Sequence, residues 1–254
     1  MLAEVLTENV FVFITVFARI GAAMMLLPPF GDTFVLRRTR LALALAVSLL
    51  LMPVAAPALP AMPPGPLALA LVLGGEVAVG LFIGGLARVV FSGLHTASLL
   101  VAYQTGLATA NLFAPGQDEH GVMVSRFFTL TALVLLFATD LHQSVLLALA
   151  ESYQALPLAG LPPVGDFAEQ ALDFIAGAFV VAVQVAAPLL VVGLLFWIGF
   201  ALLARLMPTM QVFFVALPLQ IAVGFWVLMV ALPGMMLWYF DYFEESIGRL
   251  LAAG

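Results

Sequence analysis

The chain contains no cysteine and no lysine. Without cysteine, disulfides and thiolate chemistry are excluded. Without lysine, a phosphate-cradling loop of the Gly-Lys-Ser/Thr kind cannot form. Charge of any sign is scarce: 9% of the 254 residues are charged, against about a quarter in soluble domains. Hydrophobic residues make up 65% of the chain, and the mean hydropathy is +1.21. Such a composition does not cover a water-facing surface, so the class is integral membrane protein. The net charge of −6 argues against a nucleic-acid partner. Enzyme signatures are missing too. There is no Gly-x-Ser-x-Gly elbow and no His-Glu-x-x-His, and His95, His120 and His142 do not share a helical face. The alternative enzyme reading is an intramembrane hydrolase built from Ser92, His95 and Asp140. No metal and no cofactor is expected. The opening "MLAEVLTENV" has two Glu and no basic residue, so no cleaved signal peptide is expected. The first helix is then expected to act as its own insertion signal.

What remains is long apolar runs. Crossing a hydrocarbon core of ~30 Å takes about 20 residues, and runs of that order lie at about 9–30, 41–59, 67–91, 122–150, 172–204 and 211–240. No short alternating segments suggest a membrane barrel. The fold class is all-α, a polytopic membrane protein of about six long hydrophobic helices in a single domain, 1–254. A weaker stretch at 94–113 holds His95, Gln104, Thr105, Thr109 and Asn111 and runs into "APGQDEHG". "RRTR" (37–40), Arg88 and Arg205 point to the cytoplasm by the positive-inside rule. The connector 151–173 carries only acids and points outward. If 94–121 dips in without crossing, six spans fit, with both termini outside.

Four sets of residues stand out. Ionisable groups within the runs are Arg19, Glu76, Arg88, Arg126 and Asp140, each costly in lipid. Arg19 and Glu76 lie near the middle of their runs and need to pair across helices. Gly80 and Gly84 form a Gly-x-x-x-Gly face that allows close helix approach, within the chain or between subunits. The central stretch of about 103–121, "YQTGLATANLFAPGQDEHG", is polar and rich in breakers: Gly106, Pro115, Gly116 and Gly121 surround the apolar pair Leu112 and Phe113. Irregular backbone at membrane depth is tolerated only inside protein or along a cavity, so these residues are candidates for a loop that closes a pore. In "ARLMPTMQVFFVALPLQ" (204–220), Arg205 and Pro208 suggest a cytoplasmic turn. Phe213 and Phe214 are apolar anchors, and Pro218 is expected to bend the helix that follows.

"RLMPTMQVFFVALPL" resembles the signature of the FliR family of flagellar export-gate proteins. "FARIGAAMMLLPPFGDTFVLRRTRLALALAVSLLLMP", "GEVAVGLFIGG", "YQTGLATANLFAPG" and "LHQSVLLALAESYQALPLAG" follow the family's remaining patterns in order, over essentially the whole chain. Ala114 stands where the family's central loop has Asp, and Asp140-Leu141-His142 stands where Asn-Gly-His is common. The resemblance implies helices packed as bent hairpins and a non-enzymatic subunit of a hetero-oligomeric gate in the bacterial inner membrane, at the flagellar basal body. It implies FliP and FliQ as partners, FlhB on the cytoplasmic side, and unfolded export substrates in transit. The virulence injectisome relative and, from a different class, a small-solute secondary transporter are the alternatives.

Overall fold

The computed structural model describes residues 2–28, 30–31, 35–107, 119–156, 164–207 and 212–252. Among the described residues, seven long helices follow one another: α1 (Leu2–Leu26), α2 (Arg37–Ala55), α3 (Pro66–Gln104), α4 (Glu119–Ala138), α5 (Leu141–Ala155), α6 (Val164–Leu206) and α7 (Val212–Ala252). A short 3-10 turn, Ala56–Ala58, follows α2. No strand occurs among the described residues, and the fold is all-α. Among the described residues, five helices are long and apolar enough to cross a membrane, six if the bent α4–α5 pair counts as one.

The helices do not divide the chain where the apolar runs do. The run 67–91 and the stretch 94–104 form one 39-residue helix, α3, since Gly93 and His95 lower helix propensity without breaking the helix. No separate dipping segment begins at 94. The run 122–150 is broken instead: α4 and α5 meet at a 75° bend at Thr139–Asp140. Asp140 sits at φ 59°, in the left-handed region that short polar side chains tolerate best after glycine. The Asp140 carboxylate accepts from Gln143 Nε2 at 3.0 Å, and its carbonyl accepts the Gln143 N–H at 2.9 Å. Prolines, by contrast, do not break helices here. Pro53, Pro188, Pro218 and Pro233 all lie inside helices. All four are on exposed positions of these apolar helices, and the helix continues through each of them.

The chain forms two compact units. The first comprises residues 1–91, 136–175 and 244–254. There α1 packs on α2, and α2 reaches α5. Val16, Ile20, Ala23 and Met24 make the buried stripe of α1, and Val79, Ile83, Leu86 and Ala87 that of α3. Both stripes recur every three to four residues, as one face of a helix must. The second unit comprises residues 92–135 and 176–243. Its core includes Leu94, Ala97 and Val101 of α3, Phe128 and Ala132 of α4, Val181, Ala182 and Val185 of α6, and Tyr239 of α7.

Candidate functional site: polar joints between apolar helices

Arg19 projects from the middle of α1 and is 1% exposed. A guanidinium there needs every donor matched, because lipid and packed side chains offer no acceptor. Its Nε donates to Glu76 Oε2 of α3, and Glu76 is 0% exposed. Its Nη1 donates to the Ser152 carbonyl at 2.8 Å and to Ser152 Oγ at 3.3 Å. Nη2 donates to the Leu156 carbonyl at 3.0 Å. The guanidinium carbon lies 4.2 Å from the centre of the Tyr153 ring, whose hydroxyl donates to the Val16 carbonyl at 3.3 Å. Ser152 and Leu156 lie at the carboxyl end of α5, where helices leave carbonyls without donors and carry partial negative charge. One side chain of α1 thus neutralises a carboxylate of α3 and caps α5.

The two glycines of α3 set the distance at which this pair meets. A Cβ on Gly80 would collide with the carbonyl of Arg19, and Ala22 Cβ would lie 3.1 Å away. A Cβ on Gly84 would sit 2.6 Å from the Ala23 carbonyl oxygen and 3.1 Å from Leu26 Cβ. The Gly-x-x-x-Gly face is therefore filled by α1 of the same chain.

A second joint lies in the other unit, where Gln220 of α7 donates to the Gln104 carbonyl at 2.9 Å, at the end of α3. Gly106 follows at φ 75°. Of the expected loop of 103–121, Tyr103 and Gln104 belong to α3, and Gly121 is helical, because α4 begins at Glu119. Leu112, Phe113, Pro115 and Gly116 lie outside the described residues. Arg205 is exposed in the last turn of α6, where a positive charge suits the negative end of the helix. Pro208 lies outside the described residues. Phe213 and Phe214 fall in the first turn of α7, and their side chains are likewise outside the described set. Pro218 is exposed, and α7 continues through it.

Sequence reasoning paired Arg19 with Glu76 but missed Ser152, Tyr153 and Leu156. Two of those partners act through backbone carbonyls, which any residue supplies. It also missed Gln220, although a glutamine inside an apolar run was a visible signal.

The model of the family described as bacterial export proteins, family 1, matches residues 10–246. The flagellar biosynthetic protein FliR of Caulobacter vibrioides is 35% identical over 244 residues, covering 94% of this chain and 95% of that protein. FliR of Aquifex aeolicus is 31% identical over 170 residues, 67% of this chain and 66% of its own length. The Yop proteins translocation protein T of Yersinia pestis is 34% identical over 172 residues, 66% of this chain and 65% of its own length. With its apolar helices and a family match over almost its whole length, the chain belongs to bacterial export proteins, family 1, the flagellar and type III export proteins.

Proposed function

We propose that this chain is a non-enzymatic subunit of the flagellar protein export gate. It sits in the inner membrane at the basal body and assembles with FliP and FliQ around a passage for unfolded flagellar proteins, with FlhB at the cytoplasmic side. One observation carries the reading. Exposed apolar side chains run along α6 from Leu172 to Leu206, a path of about 51 Å at 1.5 Å per residue. A straight stripe of that length would have to lean by more than about 50° to fit a ~30 Å hydrocarbon core, beyond the usual 0–40°. Lipid does not cover all of it, so other protein chains do. Neighbouring helices of a hetero-oligomer supply that cover.

The relatives favour the flagellar role over the injectisome role, since the Caulobacter FliR match spans 94% of the chain and the Yop protein T match 66%. A solute carrier would need an open polar site at mid-membrane. Arg19 and Glu76, the mid-run charges, are instead buried against each other. Within this reading, the stretch from Gly106 to Gly121, with Leu112, Phe113, Pro115 and Gly116, closes the passage. Arg205 and Pro208 set the turn between the two longest helices, Phe213 and Phe214 anchor the start of the second, and Pro218 bends it. Deleting the gene is expected to abolish motility, and the tagged chain is expected to co-purify with FliP and FliQ. Normal swimming in the deletion strain would refute the assignment.

A further inference from the structure

The carboxyl end of α3 poses a physical problem. Its last carbonyls have no partners within the helix, and few of its neighbours are polar. Gly106 takes the left-handed conformation and donates its N–H back to the Tyr103 carbonyl at 3.2 Å, the usual glycine termination. Thr105 Oγ1 donates to the Ala102 carbonyl at 3.1 Å, and among the described residues that leaves the Gln104 carbonyl, which accepts from the side chain of Gln220 on α7, itself 5% exposed. The surroundings are built to hold this contact. Gly224, one turn beyond Gln220, is the seat for α3: a Cβ there would lie 2.9 Å from both Thr105 Cα and Thr105 Cγ2. Gly193 of α6 receives the Gln104 side chain, and a Cβ at that position would collide with its Oε1. A Cβ on Gly106 would meet Gln220 Cδ at 3.2 Å. A cavity of only about 10 Å³ lies among these residues, with Leu189 and Phe196 on its wall.

We infer that Gln220 is a positioning residue: it latches the end of α3 onto α7, with Gly193 and Gly224 as seats, and so fixes where the chain leaves α3 at Gly106. The latch deepens the gate reading and rests on it for its consequence in export. Its geometry does not depend on that reading. Two glycines and a glutamine on two different helices converge on three consecutive residues, Gln104 to Gly106. A glutamine needed only for packing would not aim its amide at a carbonyl left over from another helix's end.

The absence of native cysteine makes the test direct. Spin labels at Leu107→Cys and Leu219→Cys, in the full chain assembled with its gate partners, report the distance between the end of α3 and the start of α7. Gln220→Met keeps the volume and removes the donor. Gly106→Ala attacks the same latch from the α3 side and serves if the first variant accumulates poorly. Interhelical hydrogen bonds in membranes have strengths that correspond to about threefold to twentyfold in the ratio of latched to unlatched states. The expected result is a broadened distance distribution, reduced secretion of flagellar protein, and unchanged recovery of the assembled complex. Gln184→Met, which removes the exposed bond from Trp238 Nε1 at 3.2 Å, is the control and is expected to change none of these. An unchanged distance distribution in both variants overturns the latch. Broadened distances with full secretion, or loss of the assembled complex together with the distance change, overturn the positioning role. Normal motility after deletion of the whole gene would instead sink the gate reading and leave the distance result standing.

Discussion

Two neighbouring glycines of α3 should respond to the same substitution with opposite signs. At Gly84 a methyl group would lie 2.6 Å from the Ala23 carbonyl oxygen and 3.1 Å from both Ala23 Cα and Leu26 Cβ. Comfortable contacts need about 3.5–4.0 Å, so α1 has to retreat by roughly 0.5–1 Å. The obstacle is backbone, which does not swing aside as a side-chain tip would. A gap of that size forfeits a quarter to a half of each dispersion contact along the α1 stripe. It also pulls Arg19 away from Glu76. Overpacking costs about 1–3 kcal/mol, while replacing a mid-helix glycine by alanine returns about 1 kcal/mol. The balance at Gly84→Ala is a loss of up to about 2 kcal/mol. At Gly85 the nearest foreign atom is Leu26 Cδ1 at 3.9 Å, an ordinary contact. Gly85→Ala therefore keeps the propensity gain and should stabilise by about 0.5–1 kcal/mol. Steric trapping or reversible detergent unfolding of the full chain measures both. Gly84→Ala proving as stable as Gly85→Ala would refute the claim that α1 rests on the α3 backbone.

Removing one member of the buried pair, Arg19→Met, is expected to cost about 3–5 kcal/mol, because Glu76 and the Leu156 carbonyl lose the guanidinium. Adding Glu76→Met should recover part of that loss, and a double-mutant cycle of unfolding free energies reads the coupling. Asp140→Val should destabilise by about 1–2 kcal/mol, since a branched side chain resists the left-handed conformation, whereas Asp140→Asn should change little. Thermal unfolding of the purified chain distinguishes the two. Shortening the stretch 108–118 is expected to leave the complex assembled and make it leak small ions. Bilayer conductance of the purified complex checks this, and equally tight closure in both forms would remove that stretch from the gate.

The helical class and membrane character were legible because apolar runs of about 20 residues have few other uses. Helix ends were less legible. The α4–α5 bend depends on one aspartate adopting a positive φ, and no proline or glycine marks the spot. Pro218, expected to bend its helix, lies inside α7, as does Pro233. The need of Arg19 for a partner was readable from its place in an apolar run, and Glu76 was the matching charge. Its bonds to the ends of α5 were not readable, because a carbonyl carries no side-chain signature. The contact of Gln220 with Gln104 spans 116 residues of sequence and joins one side chain to a backbone atom, so no local pattern marks it.

The bonding of Arg19 also has a consequence in time. Its carboxylate partner is made 57 residues later, and its last acceptor, the Leu156 carbonyl, 137 residues later. At about 5–20 residues per second, roughly 7–27 seconds separate the charge from its complete set of partners. Throughout that interval the first helix carries a cation that costs about 2.5–3.5 kcal/mol at mid-membrane. The nascent helix must therefore wait in a sheltered place, at the wall of the insertion machinery or tilted with its guanidinium at the interface. Pairing with α3 offers the first relief, and the end of α5 completes it. Chains halted before Leu156 would leave the ribosome with that debt unsettled, which marks them for membrane quality control.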